Sequence, residues 1–354
     1  MLPFLLRKLA YGILVLLGVV VLVFFLFQGF GDPSRIVMGQ TGDSATQANI
    51  QKELYLIDEK GESIPTWRQF LYYLNDISPL CVHSREDIEK KNLRGIFLGG
   101  EKKAGLKWPY LRKSYQSKRD VGGILLQALP GTLLLAFSAM LIAALVGIPL
   151  GVLAAVKQNS WMDTGAIFSS IVGISAPSFF MGIVMVYLFG FVLSDWTGLS
   201  VAGSWFVLDD EGQKRLTMQN LILPAVTLGI RPLAIITQLT RSAMLDVLDQ
   251  DYIRTAYAKG LSARSVIWKH ALRNALNPVI TAITGWFAEL LAGAFFVEYI
   301  FGWQGIGKVT VDALEKLDYP VVMGSVLISA GFFILINMLA DILYGLVDPR
   351  IRIR

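Results

Sequence analysis

The sequence predicts an all-α integral membrane protein with six transmembrane helices, and three observations carry that expectation. Of the 354 residues, 54% are hydrophobic and only 17% are charged, against about 25% charged in ordinary soluble domains. Charge is also missing in long blocks. Asp120 and Lys157 bracket 36 uncharged residues, Asp163 and Asp195 bracket 31, and Asp318 and Asp341 bracket 22. A helix needs roughly 20 apolar residues to cross the hydrocarbon core, and lipid offers no partner to unpaired backbone groups. Finally, the apolar runs are too long for the alternating strands of a lipid-facing barrel.

Taken in order, the spans fall at residues 9–30, 129–156, 165–193, 219–245, 277–299 and 321–346. The first follows Arg7 and Lys8, as a secretory signal would. Its apolar run reaches Phe25-Leu26-Phe27-Gln28 with no A-x-A-like cleavage site, so it reads as a retained helix. Gly147 and Gly151 in the second span allow close approach of a neighbour. Pro177 predicts a kink in the third. The resulting organisation is a first helix in 1–31, an insert at 32–120 and a five-helix core at 121–354 containing the loop 246–276.

Short-loop charge sets the orientation. The first eight residues carry +2, segment 241–276 carries +3 and residues 346–354 carry +2, whereas the loops at 195–215 and 298–318 each carry −2. Positive loops stay in the cytoplasm, so both termini and the loop at 246–276 are expected inside, and the insert outside. The insert holds 15 basic and 12 acidic residues, with several bases between Lys102 and Arg119. Long segments translocate largely regardless of charge, so this does not reverse the assignment. Recurrent aromatic residues in 32–120 point to a small folded outer cap, with a short amphipathic helix over Trp67 to Leu74. Asp341 is expected at the inner interface. The net charge of +5 reads as span-flanking bases rather than a nucleic-acid surface. A lone Cys81 forms no internal disulfide, and Cys81 with His83 is too sparse for a metal site.

The most informative stretch is Arg241 to Pro278. Asp251 to Lys259 reads as a short helix, closed by Gly260 in a positive-φ conformation. Ser262 then serves as N-cap of a second helix running toward the fifth span. Two short helices joined by a glycine make a cytoplasmic knob suited to a partner's cleft. Here the sequence resembles the permease subunits of binding-protein-dependent ABC importers, in their dipeptide/oligopeptide (peptide/nickel) branch. The general signature of that superfamily, E-A-A-x3-G-x9-I-x-L-P, keeps only Ala256, Gly260 and Leu272. The remainder follows the peptide-branch form: Arg254-Thr255-Ala256, Ala258-Lys259-Gly260-Leu261, then His270-Ala271-Leu272-Arg273-Asn274-Ala275-Leu276. The likeness extends to Leu129-Pro130-Gly131-Thr132, Gly147-Ile148-Pro149-Leu150-Gly151, Leu223-Pro224-Ala225, Leu239-Thr240-Arg241-Ser242, Glu298 through Gly307, Asp318-Tyr319-Pro320 and Asp348-Pro349-Arg350. Segment 32–109 is family-like in place but longer than the family's pattern.

The resemblance implies a non-catalytic subunit of the bacterial inner membrane, with no cofactor. It implies a second homologous permease, two cytoplasmic ATPase subunits that dock on such loops, and an extracytoplasmic substrate-binding protein. Tyr252, Ile253, Arg254, Thr255, Ala256, Lys259, Gly260, Arg264, His270 and Leu272 are then the ATPase-coupling residues. Arg254, Lys259 and Arg264 either contact the ATPase or serve as topology signals. Tyr252, Ile253, Ala256 and Tyr257 either meet the partner or pack on the chain's own helix. Peptides and nickel complexes both remain open as cargo. The chain has no G-x-x-x-x-G-K-[ST] phosphate loop.

Arg231 and Glu289 interrupt two otherwise apolar spans near mid-depth. Such residues are costly in lipid and face a partner or a cavity. Opposite in sign and on successive spans, they are expected to approach each other, either as a structural pair or lining the path. An intramembrane hydrolase is excluded: the two histidines are His83 and His270, neither at membrane depth. An ion-gradient-driven secondary transporter would show an inverted repeat and discontinuous helices, neither of which is clear. A membrane scaffold would not need the loop.

Overall fold

The computed structural model describes residues 2–29, 51–52, 55–58, 60–100, 102–208 and 214–347. Its helices are α1 (Leu2–Gln28), α2 (Thr66–Ile77), α3 (Arg85–Lys90), α4 (Val121–Val156), α5 (Trp161–Ser175) and α6 (Ser178–Tyr187), followed by α7 (Gln219–Leu248), α8 (Asp251–Ala258), α9 (Leu272–Gly293), α10 (Phe295–Ile300), α11 (Ile306–Glu315) and α12 (Tyr319–Val347). Among the described residues, four helices are long and apolar enough to cross a bilayer: Leu6–Gln28, Val121–Val156, Gln219–Leu248 and Tyr319–Ile342. A fifth span is reached if α5 and the helical stretch Ser178–Val192 count as one. α9 falls outside this set because Arg273, Asn274, Asn277 and Glu289 dilute its apolar character.

Two expectations are corrected. The fold is not all-α. Strands β1 (Leu80–Ser84), β2 (Gly95–Leu98) and β3 (Lys102–Lys107) form an antiparallel sheet in the order β1-β3-β2. A β4–β5 hairpin pairs Phe206–Leu208 with Lys214–Leu216. The sheet hides in a lysine- and glycine-rich stretch whose inward positions are few: Cys81 and His83 alternate with exposed Leu80 and Val82. Gly105 of β3 has no room for a side chain beside Ile96 and Phe97. The third span, in turn, is broken rather than kinked. α5 and the next helical stretch meet at 108°. Ala176 sits at φ −77°, ψ 125°, the extended conformation forced on a residue before proline, and Pro177 opens α6 at ψ 141°.

The chain divides into two compact units. The larger comprises Met1–Leu9, Ala128–Val311 and Ser329–Arg354. Its centre is α7, which packs on α5, α6 and α9 and buries Leu223, Ala225, Leu228, Ile236 and Met244. The approach of α4 to α7 is set by glycines on both. A Cβ on Gly147 would stand 3.0 Å from the Leu233 carbonyl oxygen, and one on Gly151 2.6 Å from that of Thr237. From the other side, a Cβ on Gly229 would stand 2.8 Å from the Ala139 carbonyl oxygen. Near the chain's start, Lys8 Nζ meets Asp341 Oδ2 at 2.8 Å.

The smaller unit comprises Ala10–Gln127 and Asp312–Ile328. The expected amphipathic helix is α2, which turns Gln69, Tyr73 and Asp76 inward. Val20 and Phe24 of α1 pack with Tyr73 and, less buried, with Phe70, Leu74 and Met323. Asp76 is the electrostatic hub. Lys91 Nζ lies 2.5 Å and Arg112 Nε 3.2 Å from its carboxylate. Lys107 Nζ donates to its carbonyl oxygen, and burial lowers the Lys107 ammonium below its ordinary value. A second carboxylate, Asp318, accepts from Ser114 Oγ at 2.5 Å and from the Tyr115 amide at 2.9 Å. It thereby ties the turn at 114–117 to the start of α12.

Two outcomes follow. Gly151→Ala should lower the thermal midpoint of the purified protein by the equivalent of about 1–3 kcal/mol, the usual cost of overpacking. Gly165→Ala, where nothing lies within 4 Å, should leave it unchanged or higher; equal midpoints for the two variants would refute the close-approach account. Asp76→Ala strips the counter-charge from Lys91 and Arg112, and should destabilise the smaller unit by roughly 3–5 kcal/mol. Limited proteolysis of the 66–120 region reads this directly, with cleavage rates expected to rise well above those of the parent protein.

Candidate functional site

The loop singled out in the sequence folds as its residue types dictate. α8 ends at Ala258, Lys259 follows as C-cap, and Gly260 takes φ 78°. No atom crowds the position of a Gly260 Cβ, so the glycine is required by conformation rather than by space. Ser262 caps the next turn by accepting from the Ser265 amide at 3.4 Å. Ala263–Ser265 then leads into a π-helical stretch, Val266–Ala271, which runs directly into α9.

Burial divides the loop's residues in two. Ile253 and Ala256 point inward, with Val152 and Ala155 of α4, Met244 of α7, and Val266, Ala271, Leu272 and Ala275 around them. Tyr252, Arg254, Thr255, Tyr257, Lys259, Gly260, Arg264 and His270 are exposed. Tyr252 is also tied internally, its hydroxyl oxygen accepting from Asn274 Nδ2 at 2.9 Å. Arg254 and Asp251 stand 3.7 Å apart at the surface, a pair worth little in water. The outer surface is thus basic and aromatic. It gains Leu261 and Trp268, both exposed, which the sequence reading did not single out.

A second feature was not legible in the sequence. Asp163, in the first turn of α5, is buried and grips Arg241 of α7 through two bonds, Nε to Oδ1 at 2.5 Å and Nη2 to Oδ2 at 2.8 Å. The Asn159 amide donates to the same carboxylate at 2.9 Å. Arg241 lies two turns before the end of α7, so this fork fixes the start of α5 to the helix that feeds the loop. The residues are 78 apart in sequence, and no local pattern pairs them.

Glu298 is the third. Fully buried on α10, it accepts from the Lys308 amide at 3.2 Å at the N-terminal end of α11, where unpaired amides favour an anion. A Cβ on Gly307 would stand 2.9 Å from its Oε2, so the glycines of Glu298–Gly307 make room for the carboxylate. Trp303 Nε1 donates to the Gly131 carbonyl at 2.9 Å, and the Ile306 amide to Thr132 Oγ1 at 2.8 Å. These bonds join two stretches that the sequence reading singled out separately.

Arg231 and Glu289 are both exposed. Among the described residues no ion pair joins them within 4.0 Å. Instead the Arg231 guanidinium lies over the Trp286 ring, 5.3 Å from its centroid. An apolar cavity of about 610 Å³ opens between α4, α5 and α7, lined among others by Leu150, Trp161, Gly165, Gly173 and Ala234; no charged side chain lines it. Among the described residues, no cluster of three or more His, Cys, Asp or Glu could hold a metal.

Known proteins resemble the chain over nearly its whole length. The family described as binding-protein-dependent transport system inner membrane component matches residues 147–353. The dipeptide transport system permease protein DppB of Escherichia coli K12 is 38% identical over 373 residues, covering 99% of both chains. The di/tripeptide transport system permease protein DppB of Pseudomonas aeruginosa is 37% identical over 368 residues, again at 99% of each. The oligopeptide transport system permease protein AppB of Bacillus subtilis is 34% identical over 352 residues and 99% of each.

Asp163→Ala should destabilise the protein by about 3 kcal/mol, the low end for a buried pair broken on one side, since Arg241 keeps some access to water. Asp163→Asn, which retains an acceptor, should cost less. Thermal unfolding of the two variants in detergent provides the check, and parent-like midpoints for both would show that the fork contributes nothing.

Proposed function

The chain belongs to the family of binding-protein-dependent transport system inner membrane components, and from that premise we propose that it is the permease subunit of an ATP-driven importer of di- and oligopeptides, one half of the translocation path. In this reading α9 supplies the sixth span. Its 22 residues reach about 33 Å at 1.5 Å per residue, enough to cross. Both termini and the α8 loop face the cytoplasm of a bacterial cell, and the insert faces outward. A second homologous permease covers the exposed helix faces, two ATPase subunits sit inside, and a binding protein delivers cargo from outside. The chain itself is non-catalytic.

One observation carries the docking role. The exposed basic and aromatic surface of α8 and the following turn is mounted on a buried apolar base that includes α4, α7 and the start of α9. A partner that pushes on that surface moves three long helices together, because Ile253 and Ala256 leave the loop no independent freedom. Arg254, Lys259 and Arg264 present charge for acidic or carbonyl groups, while Tyr252, Thr255, Tyr257 and His270 frame them. Gly260 shapes the knob, and Leu272 anchors it. The names of the relatives favour peptides over nickel complexes as cargo.

The Lys259→Glu, Arg264→Glu double variant changes two exposed positions, so the fold should persist. Co-purification of the ATPase subunits should fall by about tenfold, as expected for the loss of one or two charge-assisted contacts, and ATP-dependent peptide uptake should fall with it. Accumulation of peptide by the chain alone, under an ion gradient and without ATPase subunits, would overturn the importer reading.

A further inference from the structure

The charges at Arg231 and Glu289 have a use that the fold does not give them. Arg231 lies 17 residues before the end of α7, and Glu289 lies 17 residues after the start of α9. α7 and α9 pack on each other, and the contact of Arg231 with Trp286 sets this stretch of the two helices side by side. Trp286 fixes their relation more closely. It holds the Arg231 guanidinium over its ring at 5.3 Å, and it shares a face of α9 with Glu289, three residues and one helical turn away. Opposite charges so placed, at a depth where solvation is scarce, would be expected to pair. Among the described residues neither takes part in an ion pair.

We propose that Arg231 and Glu289 are the two poles of a way-station for zwitterionic peptides, the guanidinium receiving the C-terminal carboxylate and the Glu289 carboxylate receiving the N-terminal ammonium. This rests on the peptide-importer reading above. The chemistry matches on three counts. A guanidinium presents a planar fork that fits a carboxylate in two bonds. A carboxylate is the natural acceptor for a primary ammonium. The termini of an extended dipeptide lie about 7 Å apart at 3.3–3.6 Å per residue, and packed helices have axes about 8–10 Å apart, so long side chains rooted on two neighbouring helices can address both ends of one peptide. Trp286, half-buried beside the guanidinium and one turn from Glu289, adds an apolar edge that peptide side chains of any kind can meet, so the station reads termini and ignores sequence. With one anchor at each terminus and none between, the station holds the cargo loosely enough to release it, as conduction requires.

The test uses the complete importer in proteoliposomes, with dialanine, dialanine amide and N-acetyl-dialanine each supplied at a concentration that saturates the binding protein. The parent complex should carry dialanine faster than either blocked form. Arg231→Gln should lower dialanine uptake by about tenfold, the cost of one hydrogen bond to a charged group. It should erase the preference over the amide and leave the preference over the acetylated form. Glu289→Gln should do the converse. Arg231→Lys and Glu289→Asp should keep both preferences, a rescue that a merely structural role would not predict in this paired pattern. Equal uptake of all three compounds by the parent complex overturns the proposal without any variant, as do Gln variants that retain the parent's ratios. A parent complex that carries no peptide at all defeats the importer reading instead.

Discussion

The larger unit depends on two helices being allowed to touch at the backbone. Gly147 and Gly151 on α4 and Gly229 on α7 remove the side chains that would otherwise hold the helices at the usual 8–10 Å between axes. Lipid tails are as apolar as leucine, so in a bilayer association gains little from hydrophobicity and relies on close van der Waals packing. A crossing built from bare backbone maximises that packing and leaves little slack. α7 is thereby a fixed post, and α5, α6 and α9 are positioned by what they meet on its other faces.

That post gives the loop at α8 its mechanical meaning. Ile253, Ala256 and Leu272 are sunk in a cluster with residues from both members of the glycine crossing, and Arg241 clamps the start of α5 to the same helix. The exposed surface is thereby tied, directly or through Arg241, to α4, α5, α7 and α9. At the opposite end, Trp303 and the Ile306 amide fasten the turn before α11 to the α4 residues Gly131 and Thr132, and Glu298 accepts from the Lys308 amide beside them. The two sets of contacts differ in kind: apolar burial with one ionic fork near the loop, and hydrogen bonds to backbone near α11.

How much of this could be read from the sequence depended on how local each signal is. The long apolar runs, the helix over Asp251–Ala258, the positive φ of Gly260 and the cap at Ser262 all arise within a few residues, and each was legible. The break at Pro177 was legible as a disturbance but not as a right-angle turn, because the bend depends on what α5 and α6 pack against. The sheet in 80–107 was missed since its strands are four to six residues long and expose most of their side chains, leaving little alternation to detect. The Asp163–Arg241 fork joins residues 78 apart in sequence, and neither partner differs locally from an ordinary polar residue at a helix end; the Glu298 seat closes within ten residues, at the Lys308 amide, but nothing local marks its carboxylate as buried. Arg231 and Glu289 stood out as charges in apolar runs, but the seat of Arg231 over Trp286 is something no charge pattern reveals.

The π-helical stretch at Val266–Ala271 acts as a phase setter. A π turn carries one residue more than the α-helical turn it replaces. Each residue of an α-helix advances the side chains by about 100°, so everything downstream is rotated by that much relative to an uninterrupted helix. The surface presented by Arg264 and Trp268 and the side of α9 that carries Trp286 and Glu289 are therefore not independently oriented; one irregular turn sets the angle between them. An insertion or deletion of a single residue here would leave the composition, length and apolarity of α9 almost untouched, yet it would swing its charged position onto a different neighbour.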